Sequence, residues 1–141
     1  MNTLKEAQEA VVEEFSLFDE WLDKYEYLIS LGKELEPFPE EARTEENLIK
    51  GCQAQVWLAA EYKEGKVFFT ADSDAIITKG IISLLIRVLS GQAPQDILDC
   101  DLHFIESIGL KENLSPTRSN GLLAMIKQMK IYALAFTTQS K

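Results

Sequence analysis

Two cysteines, one histidine and a few carboxylates carry most of the chemistry this chain can offer. Cys52 stands in Leu48-Ile49-Lys50-Gly51-Cys52-Gln53-Ala54-Gln55-Val56-Trp57-Leu58, where a glycine and two amides turn directly into an apolar, strand-like run. A structural cysteine ordinarily sits inside an apolar stretch as a small, inert hydrophobe. This one occupies the hinge between a polar loop and a strand, where a thiol can be presented to a partner. Its placement predicts chemistry by the sulfur. A thiolate attacks a sulfur–sulfur bond by displacement, one sulfur entering as the other leaves. That exchange needs no metal, no general base and no resolving cysteine, only modest stabilisation of the thiolate by a cation or by backbone N–H groups. Arg118 is the first cation to consider, against the alternative that it braces the start of the last helix.

The other reactive groups read as structural. Cys100-Asp101-Leu102-His103 has a suggestive thiol–imidazole spacing, but a metal centre needs several convergent ligands. With one histidine and one further cysteine in the chain, Cys100 is expected to fill a core and His103 to begin a helix. A thiol hydrolase would need a histidine beside its nucleophile, and His103 is the sole candidate. Asp72 and Asp74 could mimic a catalytic carboxylate pair, yet acids on a strand-to-helix turn more often cap the helix. There is no Walker loop, dinucleotide-binding glycine motif or Cys-x-x-Cys. The expectation is no metal and no cofactor.

The elements that must position Cys52 follow from periodicity and punctuation. Thr3-Leu4-Lys5-Glu6 reads as a capping box, followed by Leu4, Ala7, Val11, Phe15 and Phe18 on one helical stripe. A second helix is predicted over Asp19 to Leu31, with Trp21, Tyr25, Leu28 and Ile29 inward and Gly32 as a left-handed cap. Pro37 and Pro39 predict an extended connector from Glu34 to Asn47 that delivers the chain to Cys52. Ala54 to Tyr62 and Lys66 to Asp72 flank Lys63-Glu64-Gly65 as a hairpin, with Val56, Leu58, Ala60 and Tyr62 on one face and Trp57 and Ala59 on the other. Ser73 or Asp74 should cap a helix over Asp74 to Leu89 that is apolar almost all round and therefore central. Short helices are predicted at Pro94 and over His103 to Ile108. Ser115-Pro116 opens a long last helix whose stripe is Leu122, Met125, Ile126, Met129, Ala133 and Phe136. The fold class expected is α+β, a small antiparallel sheet packed with helices, with residues 1–141 as one domain.

Composition narrows the partners. The chain has 141 residues, 46% hydrophobic and 26% charged, the profile of an ordinary globule. Its net charge is −9, with 14 of the 23 acids and 4 of the 14 bases within the first 46 residues. Nucleic acid is not an expected partner, because phosphate binding needs clustered Lys and Arg. The acidic half reads either as solvated helix faces or as a flank that steers a basic protein partner, in which case the protein would be a non-catalytic adaptor. No apolar run approaches membrane-spanning length, and the first residues lack a signal sequence, so a cytoplasmic location with reduced thiols is expected.

Three ordered blocks carry a resemblance. Gly51-Cys52-Gln53-Ala54-Gln55-Val56-Trp57 resembles the cysteine motif of the SufE family of sulfur acceptors. Ser73-Asp74-Ala75-Ile76-Ile77-Thr78-Lys79-Gly80 and Leu114-Ser115-Pro116-Thr117-Arg118-Ser119-Asn120-Gly121-Leu122 agree with it. Ala54 departs from the serine common in the family. The resemblance implies a fold similar to the scaffold protein IscU and a SufS-type cysteine desulfurase as partner. It implies that Cys52 accepts sulfur as a persulfide, stimulating the desulfurase rather than acting as a stand-alone enzyme, and passes it to a SufBCD-type complex for iron–sulfur cluster assembly. Gly51, Gln53, Asp74 and Arg118 are the supporting residues it suggests. The sister CsdE branch uses the same motif. Two cysteines are too few to hold a cluster, which takes about four protein ligands. A loop that hands sulfur to another enzyme is also expected to be mobile around Cys52.

Overall fold

A computed structural model describes residues 3–139. Thr3 caps α1 (Leu4–Phe15): its hydroxyl accepts the Glu6 amide at 3.1 Å while the Glu6 carboxylate reaches back to Thr3. Ala7, Val11 and Phe15 are buried, as the stripe requires. The second helix, α2, runs Trp21–Lys33, and here the structure corrects the expectation for Gly32. Gly32 lies inside the helix, with its end at Glu34. A Cβ built on Gly32 would fall 2.8 Å from the Gly80 nitrogen, and one on Gly80 would fall 2.4 Å from the Leu28 carbonyl. Both glycines are bare so that two helix backbones can touch.

The proline-rich connector is not simply extended. Single 3-10 turns form at Glu40–Ala42 and Glu45–Asn47. The hairpin pairs β1 (Val56–Lys63) with β2 (Lys66–Ser73) from Val56 opposite Ser73 to Lys63 opposite Lys66. Glu64 and Gly65 form the two-residue turn with φ of 53° and 79°, the double positive φ that matches the twist of a tight hairpin. Val56 and Leu58 are fully buried on the inner face. On the other face Trp57 is half-buried beneath the Arg43 guanidinium, 5.0 Å from its ring centre.

Helix α3 (Ile76–Leu89) is the central element, packed against α2, β2, α1 and the last helix. Ile81, Ile82, Leu84, Leu85, Val88 and Leu89 are at most 1% exposed, whereas Ile76, at its open N-terminal end, is 62% exposed. Neither Ser73 nor Asp74 caps this helix; Ala75 occupies the cap position without a side-chain bond. The short helices α4 (Pro94–Asp99) and α5 (Phe104–Ser107) lead to α6 (Pro116–Gln139), where the Ser115 hydroxyl accepts the Arg118 amide at 3.3 Å. Leu122, Met125, Met129 and Ala133 are buried, and Phe136 stacks on Tyr62 with ring centres 5.4 Å apart. The architecture is α+β: a two-stranded antiparallel sheet packed with six helices among the described residues. No helix among them is long and apolar enough to cross a membrane.

Candidate functional site

The chain around Cys52 is a loop closed at its base. Ile49 donates its amide to the Val56 carbonyl at 2.8 Å, and Leu48 bridges to Trp57, so residues 50–55 bulge from a pinned stem. The downstream leg is gripped a second time by the turn after β2. Gln55 donates its amide to Asp74 Oδ1 at 3.1 Å, and the Ser73 hydroxyl donates to the Gln55 carbonyl at 2.8 Å. Ser73 Oγ also accepts the Ala75 amide at 3.2 Å. Asp74 holds the cysteine loop instead of the helix start, and Ser73 joins the loop to the backbone that enters α3. Their hydrogen bonds go to a partner eighteen or nineteen residues away, which no local cap rule could reveal.

Asp72 does not join Asp74 as a carboxylate pair. It binds Arg43 from the connector and Lys79 of α3 at 3.2 Å, tying connector, sheet and central helix together. Burial pushes its carboxyl up, but the hydrogen bonds from Arg43, the Ser73 amide and Lys79 together hold it below the usual range.

Gly51, with φ of 94°, turns the loop in the left-handed region that glycine alone enters freely. A Cβ there would also press on Ala124 at 3.3 Å. The next residue is thereby turned toward α6. Cys52 is half-buried, and its Sγ lies 3.6 Å from the Gly121 carbonyl, a contact in which the thiol donates. It borders a pocket of about 500 Å³ whose walls include Thr78, Ile81, Ser115, Arg118 and Met125. Gln53 and Ala54 line the same pocket from the loop.

The structure therefore brings Cys52, Gln53 and Arg118 to one cavity, with Gly51 and Asp74 shaping the loop around it. It does not give the thiol an activating charge. Burial pushes the pKa of Cys52 up. At rest the site keeps sulfur protonated, and Arg118 lines the pocket without bringing the thiol down. Sequence reasoning reaches Gly121 only as part of a motif. The signal that singles it out is a glycine in the interior of a strongly predicted helix, where it is unfavourable by roughly 0.5–1 kcal/mol relative to alanine.

Cys100 and His103 stand apart from this site. Cys100 is buried, with the Gln8 amide nitrogen 3.5 Å from its sulfur, and Gln8 in turn accepts the Phe104 amide. His103 is exposed at the start of α5, its Nδ1 3.4 Å from Asp101. No group of three or more His, Cys, Asp or Glu that could hold a metal occurs among the described residues.

The chain is similar to known proteins over most of its length. The family model SufE, described as an Fe-S metabolism associated domain, matches residues 9–133. An uncharacterized SufE-like protein of Synechocystis sp. is 40% identical over 126 residues, covering 89% of this chain and 79% of its own. An uncharacterized SufE-like protein of Rhizobium meliloti is 38% identical over 125 residues, covering 85% and 89%. The solution structure of a hypothetical protein from Thermus thermophilus superposes with a TM-score of 0.77 at 23% identity, covering 94% of this chain and 96% of that one, which establishes a shared fold. The matched region contains the whole Cys52 loop, the grip on Gln55 and the pocket wall. The chain belongs to the SufE family, whose domain serves sulfur transfer in iron–sulfur metabolism in company with a cysteine desulfurase.

Proposed function

We propose that Cys52 is the sulfur acceptor, carrying sulfane sulfur as a persulfide from a SufS-type cysteine desulfurase to a SufBCD-type assembly complex. The observation that carries this reading is the half-buried thiol on a pinned loop, facing a cavity with room for a further sulfur. The Cys52 thiolate attacks the outer sulfur of the persulfide on the desulfurase's cysteine. A new sulfur–sulfur bond forms at Cys52, the old one breaks, and the desulfurase cysteine leaves as a thiolate. The outer sulfur keeps its proton and its oxidation level, so no outside oxidant or reductant enters.

Burial suits the carrier at rest. A thiol held protonated is a poor nucleophile toward stray disulfides and oxidants, because the thiolate is the reactive form. A persulfide turned into the cavity is likewise withdrawn from reductant and from stepwise oxidation. Transfer then requires the loop to bring the sulfur outward, where it loses its proton in the partner's site.

The test is intact-mass analysis after incubation with a desulfurase and cysteine. The protein should gain the mass of one or more sulfur atoms. The gain should vanish in Cys52→Ser and persist in Cys100→Ser. Sulfur that still accumulates on Cys52→Ser would remove the basis of the reading.

A further inference from the structure

Gly121 has no conformational need to be glycine. It lies within α6, has no positive φ, and its backbone is that of the helix around it. No tight packing demands it either. A Cβ built there meets only one atom within 4 Å, Cys52 Sγ at 3.5 Å, which is ordinary van der Waals contact. This separates it from Gly32 and Gly80, where a Cβ would run into backbone at 2.8 and 2.4 Å. An alanine at 121 would therefore suit both the helix and the resting thiol. What it would remove is the free space directly beside the sulfur.

That space matters only if the sulfur grows. A persulfide places a second sulfur about 2.05 Å from Sγ. It cannot extend straight along the line of the thiol's hydrogen bond, because the Gly121 carbonyl oxygen closes that line 3.6 Å away. The outer sulfur must turn aside, and the bare Cα of Gly121 borders the cavity where it can turn. We propose that Gly121 is a positioning residue, its missing side chain forming the seat for the outer sulfur of a Cys52 persulfide. The inference rests on the proposed function and deepens it. The neutral pocket walls Ile81 and Met125 and the hydroxyls of Thr78 and Ser115 complete the surroundings of that seat.

The test uses Gly121→Ala in the full chain, loaded in two ways: by desulfurase with cysteine, and by glutathione persulfide as a small sulfane donor. In the second route the Cys52 thiolate takes the donor's outer sulfur and glutathione leaves as its thiolate. The expected result is a melting temperature equal to or above that of the parent, because alanine favours the helix. With it should come a Cys52 persulfide reduced by dithiothreitol about tenfold faster, which corresponds to a barrier lower by about 1.4 kcal/mol. Loss of the seat raises persulfide loss without lowering stability, a pairing that a merely structural glycine cannot give. Equal reduction rates for parent and variant would overturn the proposal, as would a parent that retains no persulfide from the donor. Sulfur gained from the donor but never from a desulfurase would count against the proposed function while leaving the seat assessable. Should the variant not fold, glycine-labelled parent protein gives the answer by NMR. Persulfidation of Cys52 must move the Gly121 Cα and Hα signals, and signals that stay in place refute the seat.

Discussion

Asp74 and Gln55 meet across the base of the cysteine loop, the Gln55 amide donating to Asp74 Oδ1 at 3.1 Å while Asp74 returns its own amide to the Gln55 carbonyl at 3.3 Å. This reciprocal pair, with the Ser73 hydroxyl on the same carbonyl, makes the downstream leg a fixed pivot three residues from the sulfur. The side-chain half of it can be removed cleanly. Asp74→Ala should lower stability by about 1 kcal/mol, the net worth of one hydrogen bond, and speed hydrogen exchange at the Gln55 amide. Asp74→Asn keeps an acceptor oxygen and should leave Gln55 protected. Equal exchange at Gln55 in both variants would show that the carboxylate does not hold the loop.

The loop between its two anchors should open more readily than the core. Hydrogen exchange at Lys50 to Gln53 is expected to be far faster than at Ile81 to Leu85 of the central helix, whose residues are buried. Matching protection in the two segments, with and without a desulfurase, would contradict a loop that presents its sulfur outward.

Burial raises the Cys52 pKa, and the consequence has a definite sign. Iodoacetamide should modify Cys52 more slowly at neutral pH than an unfolded control, with the rate rising through a midpoint above the ordinary thiol value of about 8.5. The folded thiol holds its proton more firmly than the unfolded one. Its contribution to stability is therefore complete below the unfolded pKa and is lost as pH rises through the folded value. Cys52→Ala should flatten part of that alkaline decline, read from urea midpoints at about pH 7 and pH 10, on either side of the thiol range. A midpoint for alkylation at or below the unfolded value would reverse the assignment.

Two carboxylates should govern the acid limb. Glu14 is held low chiefly by Arg87, whose Nη1 lies 2.7 Å away, against burial and with help from Tyr27. Asp72 is held low by Arg43, the Ser73 amide and Lys79 in spite of its burial. Groups depressed in this way stabilise the fold above their unfolded pKa and cease to do so as pH falls through the folded value. Asp72→Asn should cost about 1–2 kcal/mol at neutral pH and much less at a pH below the folded value, where the parent carboxyl is protonated too. An equal loss at both pH values would assign the effect to packing.

The α2–α3 crossing supplies the sharpest mechanical prediction. Gly80→Ala places a methyl 2.4 Å from the Leu28 carbonyl, and the intruded atom is backbone, which cannot step aside cheaply. Overpacking of this kind destabilises by about 1–3 kcal/mol or more. Urea unfolding should show the loss with the slope unchanged. A Gly80→Ala protein as stable as the parent would mean the helices separate freely.

Much of the architecture is written in neighbouring residues. The Thr3–Glu6 box, the hairpin turn at Glu64-Gly65, the Ser115-Pro116 start of α6 and the apolar stripes are all readable, because each depends on groups within a few positions of one another. So is the prominence of Cys52, a thiol at a polar-to-apolar boundary. What sequence could not assign was the choice of partner among distant groups. Gly32 has the same composition signal whether it ends a helix or lets another backbone approach, and only the crossing at Gly80 decides. Ser73 and Asp74 have the same capping chemistry toward α3 or toward Gln55, and the hairpin's geometry directs them to the loop. Arg43 finds Asp72, and Gly121 finds Cys52, across 29 and 69 positions. Local propensities act through the backbone over a turn or two, whereas these pairs exist only after the core has packed and brought their elements within hydrogen-bond range.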